Sequence, residues 1–169
     1  DELPALVDAI NATGYGLTHG IHTRIDETVA AILSRVRAGN VYVNRNIVGA
    51  VVGVQPFGGH GLSGTGPKAG GPLYLRRLVR GASGPAPGAP TALPGPTGEA
   101  NTLELHPRGV VACIAADERG LVAQAKAALA NGNTVLLLRD PVSQRVGKSI
   151  GGARIPFADA LPPATIDAA

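Results

Sequence analysis

The sequence predicts an α/β fold, and three observations carry that expectation. Two separate stretches place an amphipathic helical pattern between short apolar runs. In the second stretch the first run is β-branched and continuously apolar, as a parallel strand buried on both faces is. Hydrophobic residues make up 44% of the 169, well above a disordered composition.

The first stretch opens with a helical pattern. Leu3, Leu6, Val7 and Ile10 fall at helical spacing, and Gly14 ends the run. Residues 15–22 read as a short extended segment. Thr23-Arg24-Ile25-Asp26 resembles a capping box, in which a hydroxyl and a carboxylate satisfy free amide donors. Behind it Ile25, Val29, Ile32, Leu33 and Val36 form one apolar face, with Gly39 as the expected helix stop. Val41-Tyr42-Val43 is the next strand, completing strand, helix, strand. After Gly53 the patterning gives way to a glycine-rich loop that runs to about Gly71.

Residues 81–100 hold Pro85, Pro87, Pro90, Pro94 and Pro96 and almost no large apolar side chain, and read as an extended linker. It divides the chain into blocks 1–80 and 101–169. In the second block Val110-Val111-Ala112-Cys113-Ile114-Ala115 is a buried-strand pattern. Leu121, Val122, Ala125, Ala128 and Leu129 line a helix that Gly132 ends, and Thr134-Val135-Leu136-Leu137-Leu138 is the second strand of a βαβ unit.

Composition narrows the function classes. The absence of Met and the abrupt ending at residues 163–169 suggest a piece of a longer protein. The one cysteine forms no internal disulfide and fits a reducing compartment. Nothing reaches the roughly 18 consecutive apolar residues of a membrane span. The net charge is +3, and its densest cluster, Arg76, Arg77 and Arg80, lacks interleaved aromatics and reads as a solvated face rather than a nucleic-acid patch.

The chemistry-bearing motifs are few. Gly59-x-Gly61-x-x-Gly64 matches the dinucleotide fingerprint by letter, but that fingerprint needs a helix opening within it. Pro56 precedes the glycines, Pro67 and Pro72 follow, and no acidic residue stands about 20 residues on, so the nucleotide reading fails. Two readings stay open: a nest of backbone amides for a carboxylate or phosphate, or a plain surface loop. Gly147-Lys148-Ser149 resembles the end of a P-loop, but Val142 stands where its first glycine is required. Cys113, inside an apolar strand with no adjacent base, reads as a structural thiol rather than a nucleophile. His19 and His22 would point to opposite faces of a strand, which argues against a shared metal.

Several landmarks together carry a family resemblance. Gly14-Tyr15-Gly16-Leu17-Thr18, Ala38-Gly39-Asn40-Val41-Tyr42-Val43-Asn44 and Pro56-Phe57-Gly58-Gly59 resemble the C-terminal part of an aldehyde dehydrogenase catalytic region. The run from Tyr42 through Ala50, then Gln55 through Leu75, is similar to the glutamate-γ-semialdehyde dehydrogenase module of the proline utilization A family, and residues 93–103 are similar to the segment that follows it. The expected architecture is therefore part of an aldehyde dehydrogenase-like fold, followed by a βαβ, Rossmann-like unit.

The resemblance implies a bifunctional proline-catabolic parent. Its flavin-dependent half, using FAD, lies outside this chain, and its second half oxidises the semialdehyde to glutamate with NAD. It implies that the loop after Pro-Phe-Gly-Gly binds the substrate's α-carboxylate, with Phe57 on the tunnel wall, Gly59 and His60 at the anchor, and Gly58, Gly61 and Ser63 beside them. It also implies that the nucleophilic Cys, the base Glu and the ribose-binding Glu lie upstream, so the chain alone should not turn over aldehyde. The implied parent is a cytoplasmic homo-oligomer, peripheral at the inner membrane, acting on a small aldehyde, with no nucleic-acid contact from this segment.

In the second block the resemblance is to the start of an aldehyde dehydrogenase NAD domain, with two departures. Ala115-Ala116-Asp117 stands where active members carry Pro-Trp-Asn, and Leu138 stands where they carry a ribose-binding Lys. This implies a degenerate, non-catalytic copy, like the C-terminal domain that packs over the dehydrogenase site in longer members.

Overall fold

A computed structural model describes residues 2–64, 66–79, 90–150 and 155–160. Thr65, Arg80, residues 81–89 of the expected linker and the terminal residues 161–169 lie outside the described residues. The described residues fall into two compact units, one built mainly from residues 2–79 with 92–103, the other mainly from 104–150 with 155–160.

The first unit begins with α1 (Leu3–Ala12). Pro4 sits in its first turn, where a missing N–H costs nothing. Val7 is its buried residue, while Leu3 and Leu6 remain exposed. The chain then runs through β1 (Tyr15–Gly16), β2 (Thr18–Ile21), α2 (Asp26–Leu33) and β3 (Asn40–Val43). β2 and β3 pair in parallel, Thr18 opposite Asn40 and Ile21 opposite Val43, so α2 is the crossover of a βαβ unit. Val7, Ile21 and Ile32 form the core beneath it, joined by Val29, Val36 and Val41. The α/β expectation is borne out.

Two local expectations need correction. Thr23 does not close a capping box: its Oγ1 accepts from the Ile25 amide at 3.1 Å, and α2 starts without a side-chain cap. That two-residue hydroxyl turn competes directly with the longer reach to the third helical amide. Gly39 is not the helix stop either. α2 ends at Leu33, six residues earlier, and the Gly39 amide donates to the Gly16 carbonyl at 2.9 Å. A Cβ on Gly39 would fall on the Gly58 peptide, 2.7 Å from both its carbonyl carbon and the Gly59 Cα. The position excludes side chains because two backbones touch there.

The second half of the stretch expected to be a linker is tied down. β5 (Thr91–Leu93) and β6 (Asn101–Leu103) form a two-stranded sheet. Between them Glu99 pairs with Arg45 at 3.1 Å and accepts from the Gln55 amide at 2.9 Å. Gln55 is buried, and its own oxygen accepts from the Val51 amide at 3.0 Å. Proline content pointed to an extended stretch; a single carboxylate placed between two donors ties it to the unit, while most of its described residues stay exposed.

The second unit is a three-stranded parallel sheet in the order β7 (Val110–Cys113), β8 (Thr134–Leu138), β9 (Phe157–Ala158). α3 (Glu118–Ala130) and α4 (Pro141–Ser149) make its crossovers. Asn133 accepts the Arg108 and Gly109 amides at 2.7 and 3.2 Å, which sets the start of β7 against the turn before β8. Cys113, Leu121, Ala125, Ala128, Val135, Leu137 and Val146 form the core. Leu137 is 0% exposed. Truncating it to Ala leaves a cavity that a close-packed sheet cannot collapse, so Leu137→Ala is expected to cost roughly 2–5 kcal/mol, read as a lowered urea midpoint.

Candidate functional site

The glycine-rich run lies against the start of β3 and the chain before it. β4 (His60–Gly61) pairs antiparallel with β1, Gly16 opposite His60 and Tyr15 opposite Gly61. Gly61 has φ +53, and a Cβ there would stand 2.5 Å from the Gly14 carbonyl oxygen, so no other residue fits. The Leu62 amide donates to that same Gly14 oxygen at 2.9 Å, and the Gly16 amide donates to Ser63 Oγ at 3.2 Å. The Ser63 and Gly64 amides close turns onto the His60 and Gly61 carbonyls at 3.0 and 2.9 Å. No helix opens within the run, so the structure lacks the element a dinucleotide fingerprint requires.

The front of the loop is fixed by two polar side chains. Phe57 and Ala69 exchange backbone hydrogen bonds at 3.0 and 2.8 Å, bringing residue 68 beneath Gly58. Asn40 lies across the loop: its Nδ2 donates to the Pro56 carbonyl at 2.8 Å, and its Oδ1 accepts from the Gly58 amide at 3.1 Å. The Lys68 ammonium donates to the Gly39 carbonyl, to the Gly58 carbonyl at 2.9 Å and to Asn40 Oδ1 at 3.2 Å. Burial lowers the Lys68 pKa to about 8.

These bonds sort the residues expected at the site. Phe57, Gly58, Gly59 and Ser63 are half-buried, while His60 and Gly61 are exposed. The amides of Gly58, Leu62, Ser63 and Gly64 are all engaged within the protein. The Gly59 amide makes no hydrogen bond among the described residues. A Cβ on Gly59 would stand 2.5 Å from the Ser63 carbonyl oxygen, so the tight turn behind it also requires glycine. Four of the loop's amides thus brace its own backbone, and the Gly59 amide lies between them.

Elsewhere the structure offers little chemistry. Cys113 is buried, and burial pushes its thiol pKa up, as suits a structural residue. His19 lies in β2 and His22 just beyond it. No group of three His, Cys, Asp or Glu side chains among the described residues could hold a metal ion. In the second unit the two helix N-termini that follow β7 and β8 are each filled from within. Asp117 accepts the Gly120 amide at 2.6 Å. Asp140 accepts the Val142 and Ser143 amides at 2.8 and 2.9 Å and the Ser143 hydroxyl at 2.6 Å. Those bonds hold the Asp140 carboxyl below the usual range, so it stays an anion where a phosphate would otherwise bind. The P-loop-like Gly147-Lys148-Ser149 lies at the end of α4, where no phosphate loop exists.

Asn40 and Lys68 were not singled out as site residues from the sequence. They are 28 residues apart, and nothing in spacing links them; the one available signal was a polar residue immediately before an apolar strand.

Residues 1–83 match the family model described as Aldehyde dehydrogenase family, and this part of the chain belongs to that family. Its relatives are more particular. The chain is 50% identical over 175 residues to the Bifunctional protein PutA of Rhizobium meliloti, covering 81% of this chain and 14% of the relative. It is 43% identical over 74 residues to the 1-pyrroline-5-carboxylate dehydrogenase of Oceanobacillus iheyensis, covering 44% of this chain and 14% of that one. A solved structure of PutA from Corynebacterium freiburgense matches 92% of this chain and 22% of its own with a TM-score of 0.65 at 24% identity, a likeness of fold. The resemblance to the proline utilization A family is borne out, and the chain spans about a seventh of the length of the first of these curated relatives.

The contact between Gly39 and the Gly58 peptide gives a direct check. Gly39→Ala is expected to force the loop off β3 and to lower stability by roughly 1–3 kcal/mol, as overpacking against a fixed backbone does, measured by thermal or urea unfolding.

Proposed function

We propose that this segment supplies the carboxylate end of the substrate site in an NAD-dependent glutamate-γ-semialdehyde dehydrogenase, within a bifunctional proline-catabolic protein. The observation that carries the proposal is the Gly59 amide, without a hydrogen-bond partner among the described residues on a loop whose Gly58, Leu62, Ser63 and Gly64 amides are engaged. A carboxylate accepting from a fixed backbone N–H gains a charge-assisted hydrogen bond without ordering a flexible side chain. The PutA and 1-pyrroline-5-carboxylate dehydrogenase relatives support the same substrate class. His60 and Gly61 stand beside the anchor, Ser63 braces it through Gly16, and Phe57 is the candidate wall of the aldehyde tunnel.

Aldehyde oxidation needs a thiolate to attack the carbonyl, an oxyanion hole, a base for water and a hydride acceptor. Cys113 does not fit the first role, and the described residues hold no alternative thiol. On this reading those groups lie upstream in the parent, together with the NAD-binding residues, and FAD serves its other half. Orientation and selectivity remain for the present segment. The second unit is the start of a structural, non-catalytic domain. Its helix N-termini are occupied by Asp117 and Asp140, and Leu138 stands where a ribose-binding Lys is expected, so its residues do not fit a dinucleotide. Among the described residues no helix is long and apolar enough to cross a membrane. We further propose a homo-oligomeric, cytoplasmic parent.

In the full-length protein, Gly59→Ala keeps the amide but sets a Cβ against the Ser63 carbonyl, so the turn must shift and carry the N–H out of line; KM for glutamate semialdehyde is expected to rise about tenfold, roughly the worth of one hydrogen bond to a charged group. Oxidation of propanal, which has no carboxylate, should change much less. An unchanged KM for the semialdehyde would favour a scaffold role for the loop. Equal efficiency on both aldehydes in the parent would favour an aldehyde dehydrogenase of other specificity.

A further inference from the structure

Lys68 touches the loop on the side of Gly58 rather than Gly59, and the geometry of one peptide unit links the two. The Gly58 carbonyl and the Gly59 amide belong to the same peptide group. No peptide bond among the described residues is cis, so the C=O and N–H of that group point in opposite directions. Holding the carbonyl inward therefore turns the amide outward. Lys68 Nζ holds it at 2.9 Å, with its other N–H groups on the Gly39 carbonyl and Asn40 Oδ1. Asn40 Oδ1 in turn accepts the Gly58 amide at 3.1 Å, which fixes the preceding peptide.

We propose that Lys68 is the positioning residue of the carboxylate anchor, its ammonium setting the Gly58–Gly59 peptide so that the Gly59 amide faces the substrate's carboxylate and donates more strongly to it. This rests on the proposed role of the Gly59 amide.

Three observations support the assignment. First, an ammonium has three N–H donors and no acceptor, and three carbonyl oxygens surround it. A neutral amine would keep two donors and turn a lone pair toward a carbonyl. Second, the stem is packed as well as the head: a Cβ on Gly58 would stand 3.3 Å from both Lys68 Cα and Cγ, so Gly58 lies flat on the lysine. Third, positive charge on a carbonyl oxygen polarises the whole peptide and strengthens its N–H as a donor. The ammonium also adds positive potential beneath the amide without itself reaching the substrate, so the anchor keeps the geometry of a backbone group and gains the field of a charged one.

The same arrangement makes the anchor sensitive to pH. The groups facing the ammonium are neutral carbonyl oxygens, and burial is the one cause of its lowered pKa, about 8. Among the described residues no carboxylate is paired with it to hold the proton. Loss of that proton above pH 8 removes one of three donors and the charge, and the Gly58 carbonyl is freed to rotate.

The test uses the full-length protein with two substrates, glutamate semialdehyde and propanal. Lys68→Met keeps the stem and removes the donors. It is expected to raise KM for the semialdehyde about tenfold, with kcat for that substrate and kcat/KM for propanal within about twofold of wild type. In the unmodified protein, the ratio of the two KM values is expected to rise as pH passes through 8, and in Lys68→Met that rise should vanish. Equal losses on both substrates in Lys68→Met would mean a general structural role and overturn the proposal, as would a flat KM ratio across pH 7 to about 9.5 in the unmodified protein. The failure of the underlying reading looks different. If Gly59→Ala leaves KM for the semialdehyde unchanged, the anchor itself is wrong; if Gly59→Ala raises it and Lys68→Met does not, only the role of Lys68 falls.

Discussion

One ammonium in a cup of carbonyl oxygens fixes the front of the glycine-rich loop. Lys68 joins three pieces of chain that sequence keeps apart: the Gly39–Asn40 entry to β3, the Gly58 peptide and its own segment. The cup can close only because Gly39 and Gly58 lack side chains, which lets two backbones meet. β4 then aligns on β1, Ser63 reaches Gly16, and the loop becomes a braced surface. A half-buried ammonium with no carboxylate partner among the described residues carries a desolvation cost, and its lowered pKa is the expression of that cost. The oxygen donors around it offset part of the cost, and the result is a loop held by a charge whose field is not cancelled nearby.

The second unit handles the same kind of electrostatics in the opposite way. A parallel sheet with crossover helices brings helix N-termini to the C-terminal ends of its strands, the usual place for an anion. Here Asp117 and Asp140 occupy those positions, and Ser143 adds a second bond to Asp140. Each carboxylate satisfies amides that would otherwise seek a ligand. The crossover helices thus close their own N-termini, and these carboxylates stabilise the helix starts in place of a bound anion.

Much of the fold was legible in the sequence because packing periodicity is local. Leu121, Ala125 and Ala128 fell on the buried face of α3, and Val110 through Cys113 and Thr134 through Leu138 formed the expected parallel pair. α4 and β9 were not foreseen. The α4 sequence is polar with Gly147 inside it, and that glycine makes room for the Phe157 ring, 2.8 Å from where a Cβ would stand. A helix whose weakest residue serves a distant strand cannot be read from its own segment, although Asp140-Pro141 was an available start signal. Glu99 shows the same limit: its ties to Arg45 and Gln55 span 54 and 44 residues, so a proline-rich composition concealed an anchored segment.

The candidate site was legible in outline for a further reason. Its glycines matched a nucleotide fingerprint by letter, yet they are required by separate contacts: Gly61 by its positive φ, Gly59 by the Ser63 carbonyl behind it. A letter pattern records where side chains are forbidden and not why. What the pattern could not reveal was which amide stays free, since that depends on where Asn40 and Lys68 place their oxygens and protons. On the proposed reading, recognition then rests on a backbone group whose direction is set from behind by a side chain that never meets the substrate. Selectivity for a carboxylate would in that case depend on the register between residues 39, 58 and 68 more than on the chemistry of any residue exposed in the loop.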